Sequence, residues 1–228
     1  MIEAEWWEYV SPDGMAEAVA GDVGFIIESA LDARGAALVA LPGTDTAKAI
    51  FPKLAGAALN WKQVMIVPTD DAIVGVDSEE SQARALAQAF LPKGARVIPI
   101  VTPLDDYRLA GNSADARLQD LPWPPDLVWL SVGENGEAAG IASGPDLQDA
   151  LDAPKARRAV GVKADSGEPR VTLTRASILS ARTVMIAIRG QAKRDLLEQA
   201  IADGHSSKLP IGRVLAEAEQ PIDIHWCA

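Results

Sequence analysis

Short apolar runs that stop abruptly at Pro, Gly, Asp or Thr recur along this chain, separated by stretches whose apolar positions fall three and four residues apart. AALVALPG (36–43), VMIVPTD (64–70), RVIPIV (96–101) and DLVWLSVG (126–133) are such runs. A continuous apolar strand is one buried on both faces, as in a parallel sheet. RVTLT (170–174), TVMIAIRG (183–190) and IDIHW (222–226) complete the predicted strands. The helical period predicts helices over 13–33, 45–58, 79–91, 104–120 and 191–202. Gly35 marks the end of the first, and Asp77 with Glu80 reads as the capping box of the third.

Strands that alternate with helices imply an α/β fold: an open, mostly parallel twisted sheet flanked by helices on both faces, Rossmann-like in kind. No internal repeat or low-complexity tract interrupts the pattern. Pro122–Pro125 reads as a connector and 164–169 as a surface loop, so one domain over 1–228 is expected. In such sheets ligands bind beyond the carboxyl ends of the strands, near the point where strand order reverses. The candidate site is therefore assembled from loops 42–48, 68–78, 133–144 and 190–193.

Composition narrows the function. The 228 residues carry 32 acidic against 21 basic side chains, a net charge of -11, which argues against nucleic acid or an anionic membrane as partner. A single cysteine, Cys227, excludes a disulfide framework and a Cys-based zinc site. His205 and His225 are not at ligand spacing, so no metal is expected. No apolar run approaches membrane-spanning length, and the acidic start lacks a signal peptide's basic region, so the cytoplasm is the expected location. The expected partner is a small molecule bound by a monomer or weak homodimer.

Two loops carry candidate chemistry. LPGTDTAK (41–48) places Gly43, Thr44, Asp45, Thr46 and Lys48 just before or at the head of a helix, where free N–H groups and the helix dipole favour an anion. GENGEAAG (133–140) places Gly136 and Glu137 after a strand. Neither loop matches GxGxxG or the Walker pattern.

The order of these loops, from LPG-x-x-T through VPTDD, PDLVWLSVGENGEAAG and PRVTLT to RGQAK, resembles the 6-phosphogluconolactonase family, related to the glucosamine-6-phosphate isomerases. The resemblance spans nearly the whole chain. It implies the isomerase-type sheet and hydrolysis of 6-phospho-D-glucono-1,5-lactone to 6-phosphogluconate with no metal or cofactor. It also implies that Arg170 and Lys193 help bind the substrate phosphate; Asp70, in the acidic pair of the site, is a candidate catalytic residue beside Glu137. The chain departs from the family's motifs where their chemistry lies. Gly43–Ala47 replaces Gly-Gly-Ser/Arg-Thr-Pro, Ala72 stands where an arginine follows the acidic pair, and Ser81–Gln82 replaces Ser-Asn. Glu137 occupies the position of the histidine that serves the family as general base.

Histidine titrates near neutrality, whereas glutamate is a weaker base unless burial raises its pKa. Native hydrolysis is therefore expected to be lost or much reduced. The alternatives are a remodelled or engineered pocket for a less phosphorylated ligand with Glu137 as carboxylate base, or a non-catalytic sugar-phosphate binder. Ala47, Ala72, Ala138, Ala139 and Ala142 suggest that such a pocket is enlarged.

Overall fold

The structure is a computed structural model that describes residues 2–165 and 167–228. Seven parallel strands form the central sheet: β1 (Ala4–Tyr9), β2 (Ala37–Leu41), β3 (Val64–Pro68), β5 (Arg96–Val97), β6 (Leu127–Leu130), β9 (Thr183–Arg189) and β10 (Ile222–Cys227), in the order β1-β10-β9-β6-β2-β3-β5. Three further strands, β4 (Asp70–Ala72), β7 (Ala159–Val162) and β8 (Arg170–Leu173), make a small antiparallel sheet in the order β4-β8-β7.

Alternation along the central strands sends side chains into two apolar cores. Val39, Leu41, Ile66, Trp129 and Met185 face α1 (Pro12–Arg34), α2 (Asp45–Ala55) and α3 (Gln82–Phe90). Leu38, Ala40, Val67, Val128 and Ile186 face α4 (Tyr107–Leu118), α7 (Gln191–Asp203) and α8 (Pro210–Leu215). Two-sided burial explains the uninterrupted apolar runs of β2, β3 and β6, in which every residue is buried. Asp126 fastens the start of β6 to that of β2 by accepting from the Leu38 N–H at 3.0 Å and from Arg34.

Several expectations need correction. The run at 96–101 pairs as a strand only at Arg96–Val97. One more bond, from Ile98 N to Ile66 O at 2.9 Å, follows before Pro99, which has no N–H to donate. The segment 170–174 forms β8 of the antiparallel sheet rather than joining the parallel one. The loop 68–78 contains β4, and β1, β7, α5 (Leu147–Leu151), α6 (Arg175–Ser180) and α8 were not anticipated; the three helices are too short to show a period.

The third helix starts at Gln82, not at 79, and Glu80 closes no capping box. Ser81 is the N-cap, its hydroxyl accepting from Arg84 N at 3.3 Å, and Asp71 of β4 holds the same turn from across space. Its carboxylate accepts from Gln82 N at 2.7 Å, Ala83 N at 3.0 Å and the Ser81 hydroxyl at 3.1 Å. Burial pushes its pKa up and the neighbouring Asp70 charge adds to this, while these three donors oppose the rise. A cap supplied across space is invisible to a local capping pattern.

Asp71→Ala, which strips Gln82 N, Ala83 N, Ala72 N and the Ser81 hydroxyl of their acceptor, is expected to cost about 1–3 kcal/mol in denaturant unfolding, whereas Glu80→Ala should stay within about 0.5 kcal/mol. Equal effects would return the cap to Glu80. On β10, burial lowers the His225 pKa from 6.5 to about 4. A depressed folded-state pKa contributes stability that is fully present above the unfolded value and is lost as pH falls towards the folded one. From pH 7 to 4 the unmodified chain should therefore lose on the order of 3 kcal/mol more than His225→Gln, read from unfolding curves at each pH.

Candidate functional site

The chain leaves β2 for β3 and β5 on one side, then returns to β6, β9 and β10 on the other. The loops after β2 and β6 thus diverge from neighbouring strands and leave a crevice at the carboxyl edge. A cavity of about 230 Å³ occupies it. Thr44, Asp45 and Thr46 at the head of α2 form one wall; Trp129, Ser131 and Val132 at the end of β6 form another. Ala187 and Ile188 of β9 and Lys193 of α7 close it.

The cavity's electrostatics favour an anion. Thr44 is the N-cap of α2 but makes no side-chain cap bond, so the first-turn N–H groups retain donor capacity. Lys193 donates from Nζ to Val132 O at 2.7 Å, which fixes its ammonium at the end of β6 while using one of three donors. Asp45 carries the one opposing charge in the lining, but its side chain is 102% exposed, so water screens it.

Gly43 sits behind this wall. Its N–H donates to Gln82 Oε1, and a Cβ at this position would lie 2.7 Å from the Gln82 Cβ. That close approach requires glycine and ties the post-β2 loop to the head of α3. The turn after β6 is equally constrained. Gly136 adopts φ 77° against Leu209, its carbonyl accepts from Ile211 N at 2.8 Å, and Ala139 holds φ 48°. Ala139 is the one non-glycine with positive φ among the described residues, and Thr172 donates to its carbonyl at 2.6 Å. Side chains seldom tolerate this region, so the surrounding bonds hold the turn in place.

The remaining candidates stand elsewhere. Glu137 folds back over Gly133, and its carboxylate accepts from Asn135 N at 3.1 Å and Asn135 Nδ2 at 3.2 Å; it does not line the cavity. Arg170 donates from Nε and Nη2 to one oxygen of Asp70, at 2.8 and 2.7 Å, beside Gly140. Lys48 lies exposed in a groove between α2 and α3 with Phe51 and Arg84. None of the five alanines lines this cavity, and Ala47, Ala138 and Ala139 belong to the apolar cores.

Four sequence-predicted residues, Thr44, Asp45, Thr46 and Lys193, therefore meet in one cavity. Trp129, Ser131 and Ile188 were missed as lining residues. Their signal was positional: each lies at or just beyond the carboxyl end of a strand adjoining the reversal of strand order. No cluster that could hold a metal ion occurs among the described residues. No helix among them is long and apolar enough to cross a membrane.

A parallel sheet that changes direction beside a strand-end cavity defines the open α/β class in which ligand sites lie at this point of the sheet. The chain belongs to the family described as glucosamine-6-phosphate isomerases/6-phosphogluconolactonase, which matches residues 10–226. It is 33% identical over 223 residues to a 6-phosphogluconolactonase of Rhizobium meliloti (strain 1021), covering 96% of each chain. A 6-phosphogluconolactonase of Pseudomonas putida is 30% identical over 218 residues, 93% of this chain and 88% of that one. Among solved structures, the 6-phosphogluconolactonase from Shewanella baltica OS155 superposes with a TM-score of 0.92 over 99% of this chain and 98% of that one, at 24% identity. A monomeric glucosamine-6-phosphate deaminase reaches 0.80 over 98% and 97% at 14% identity. At those identities the two structures share the fold.

Arg170→Met would leave the buried Asp70 carboxylate without its ion-pair partner. The arginine is about a third exposed, so an expected loss of about 1–3 kcal/mol in thermal or denaturant unfolding lies below the full cost of a buried pair.

Proposed function

We propose that this chain binds a sugar-phosphate lactone at the strand-end cavity and hydrolyses 6-phospho-D-glucono-1,5-lactone to 6-phosphogluconate far more slowly than its relatives are expected to. The supporting observation is the cavity where the loops after β2 and β6 part, which joins the donor-rich head of α2 to the fixed Lys193 ammonium. Membership of the family supplies the reaction class.

Lactone hydrolysis needs a base that takes a proton from water, donors that stabilise the oxyanion on the carbonyl carbon, and a proton for the ring oxygen as its bond breaks. Lys193 and the α2 N–H groups supply positive potential for a phosphate. Glu137, at the position of the family's histidine, is a poor base because its carboxylate already accepts from Asn135 and lies outside the cavity lining. Arg170 is neutralised by Asp70, and Ala72 offers no guanidinium. Phosphate binding then rests on Lys193 and the head of α2, while the group at the base position is engaged by Asn135, so turnover is expected to fall further than binding. The same observations favour a second reading, a sugar-phosphate binder without catalysis. No cofactor or metal enters either reading, and one ligand-binding unit over the whole chain is proposed in both.

Hydrolysis of fresh 6-phosphogluconolactone, corrected for spontaneous opening, separates the readings. The unmodified chain should fall roughly 100-fold or more below active relatives, the contribution of one general base, and Glu137→His should recover part of that rate. Lys193→Met should weaken binding of 6-phosphogluconate, seen as a smaller ligand-induced rise in Tm. Turnover equal to that of active relatives would overturn the account of Glu137. No turnover with retained phosphate binding would select the binder.

A further inference from the structure

A second cavity, about 410 Å³, lies between α1 and the sheet face formed by β1, β10 and β9, and it shares no lining residue with the strand-end cavity. The face is polar here where the rest is apolar. Tyr9 of β1, and Asp223 and His225 of β10, meet Asp22 of α1, while Trp7 and Phe25 form the apolar wall. No lysine or arginine lines it.

Two independent features single this cavity out. First, His225 is only 1% exposed, yet one edge of its ring is left open. Its Nδ1 shares a 2.9 Å hydrogen bond with the Tyr9 hydroxyl, whereas Nε2 has no hydrogen-bond partner among the described residues and lies 3.7 Å from Asp22 Oδ2. Second, neither Asp22 nor Asp223 has a Lys or Arg partner among the described residues. Burial raises both carboxylates; at Asp223 a hydrogen bond from the Trp7 side chain opposes the rise while the Glu5 and Asp22 charges add to it, and Asp22 also pushes Tyr9 up. With its pKa lowered to about 4, His225 is neutral at physiological pH and supplies no compensating charge.

A partly desolvated pair of carboxylates beside aromatic rings attracts positive charge and repels anions. A neutral guest would leave the acidic groups without a counter-charge. The volume suits a ligand of modest size. Trp7, 49% exposed, and Phe25, 69% exposed, present ring surface at the rim that a flat apolar body would cover.

We propose that this cavity binds a small organic monocation, an ammonium or guanidinium head on a flat apolar body, with the head between Asp22 and Asp223 and the body against Trp7 and Phe25. His225 carries its proton on Nδ1, donated to the Tyr9 oxygen, and its Nε2 accepts from the cationic head. The site is independent of the lactone chemistry and lies apart from it.

Isothermal titration calorimetry of the full chain with benzylammonium, benzyl alcohol and benzoate tests the assignment. Benzylammonium should bind saturably at one site, roughly tenfold or more tighter than either analogue, and more weakly at high salt. Asp22→Asn with Asp223→Asn should weaken it by roughly tenfold or more. Phe25→Ala, on an exposed position of α1, tests the ring contact without touching a carboxylate and should also weaken binding. Nitrogen-15 NMR of the His225 imidazole should shift on titration. Absence of saturable binding by the folded, unmodified chain would overturn the proposal. So would equal affinity for benzyl alcohol, indifference to the double substitution, or ligand-induced shifts confined to the Lys193 loop.

Discussion

Burial of one parallel sheet on both faces constrains everything else in this molecule. Helices α1, α2 and α3 cover one face and α4, α7 and α8 the other, so the central strands are lined almost throughout by apolar side chains. Polar chemistry is expelled to the strand ends, and the reversal of strand order between β2 and β6 decides which end-loops part to leave a cavity. Thr44–Thr46 and Lys193 lie far apart in sequence and meet only because β2, β6 and β9 are adjacent.

Around this cavity much of the charge is satisfied internally. Asp70 holds Arg170, Asp71 holds the head of α3, and Glu137 holds the turn that Asn135 begins. A charged group that serves structure is less available to a substrate, because its interaction must be broken before it can act. Lys193 differs: its single bond to a backbone carbonyl positions the ammonium without neutralising it. The cavity therefore keeps one ammonium held only by a backbone carbonyl, while the Glu137 carboxylate is engaged by Asn135. The polar patch beneath α1 shows the opposite imbalance, with carboxylates and an open imidazole nitrogen but no basic side chain.

Much of the fold was legible because its signals are local. The runs at 36–43, 64–70, 126–133 and 183–190 became β2, β3, β6 and β9, and the long period over 13–33 became α1. Less legible were elements whose partners are remote. In β1, glutamates separate the aromatic and small residues of an edge strand, which hides the apolar run. β4 and β7 are three and four residues long and exist by pairing with β8, which the run at 170–174 did predict. Asp77 and Glu80 satisfied a capping pattern on paper, but Asp71, from another strand, reached the N–H groups first.

By itself the amino-acid sequence determined the alternation of strand and helix, the parallel sheet and the family, since these rest on periodicity and on motifs in chain order. Tertiary structure decided which of the marked residues share a cavity. It brought Lys193 to Val132 and the head of α2, turned Ala47, Ala138 and Ala139 into the cores, and paired Arg170 with Asp70. The physical reason is that a side chain's role depends on which charges, donors and apolar surfaces lie within a few ångströms. In a sheet with crossover connections those neighbours come from distant parts of the chain.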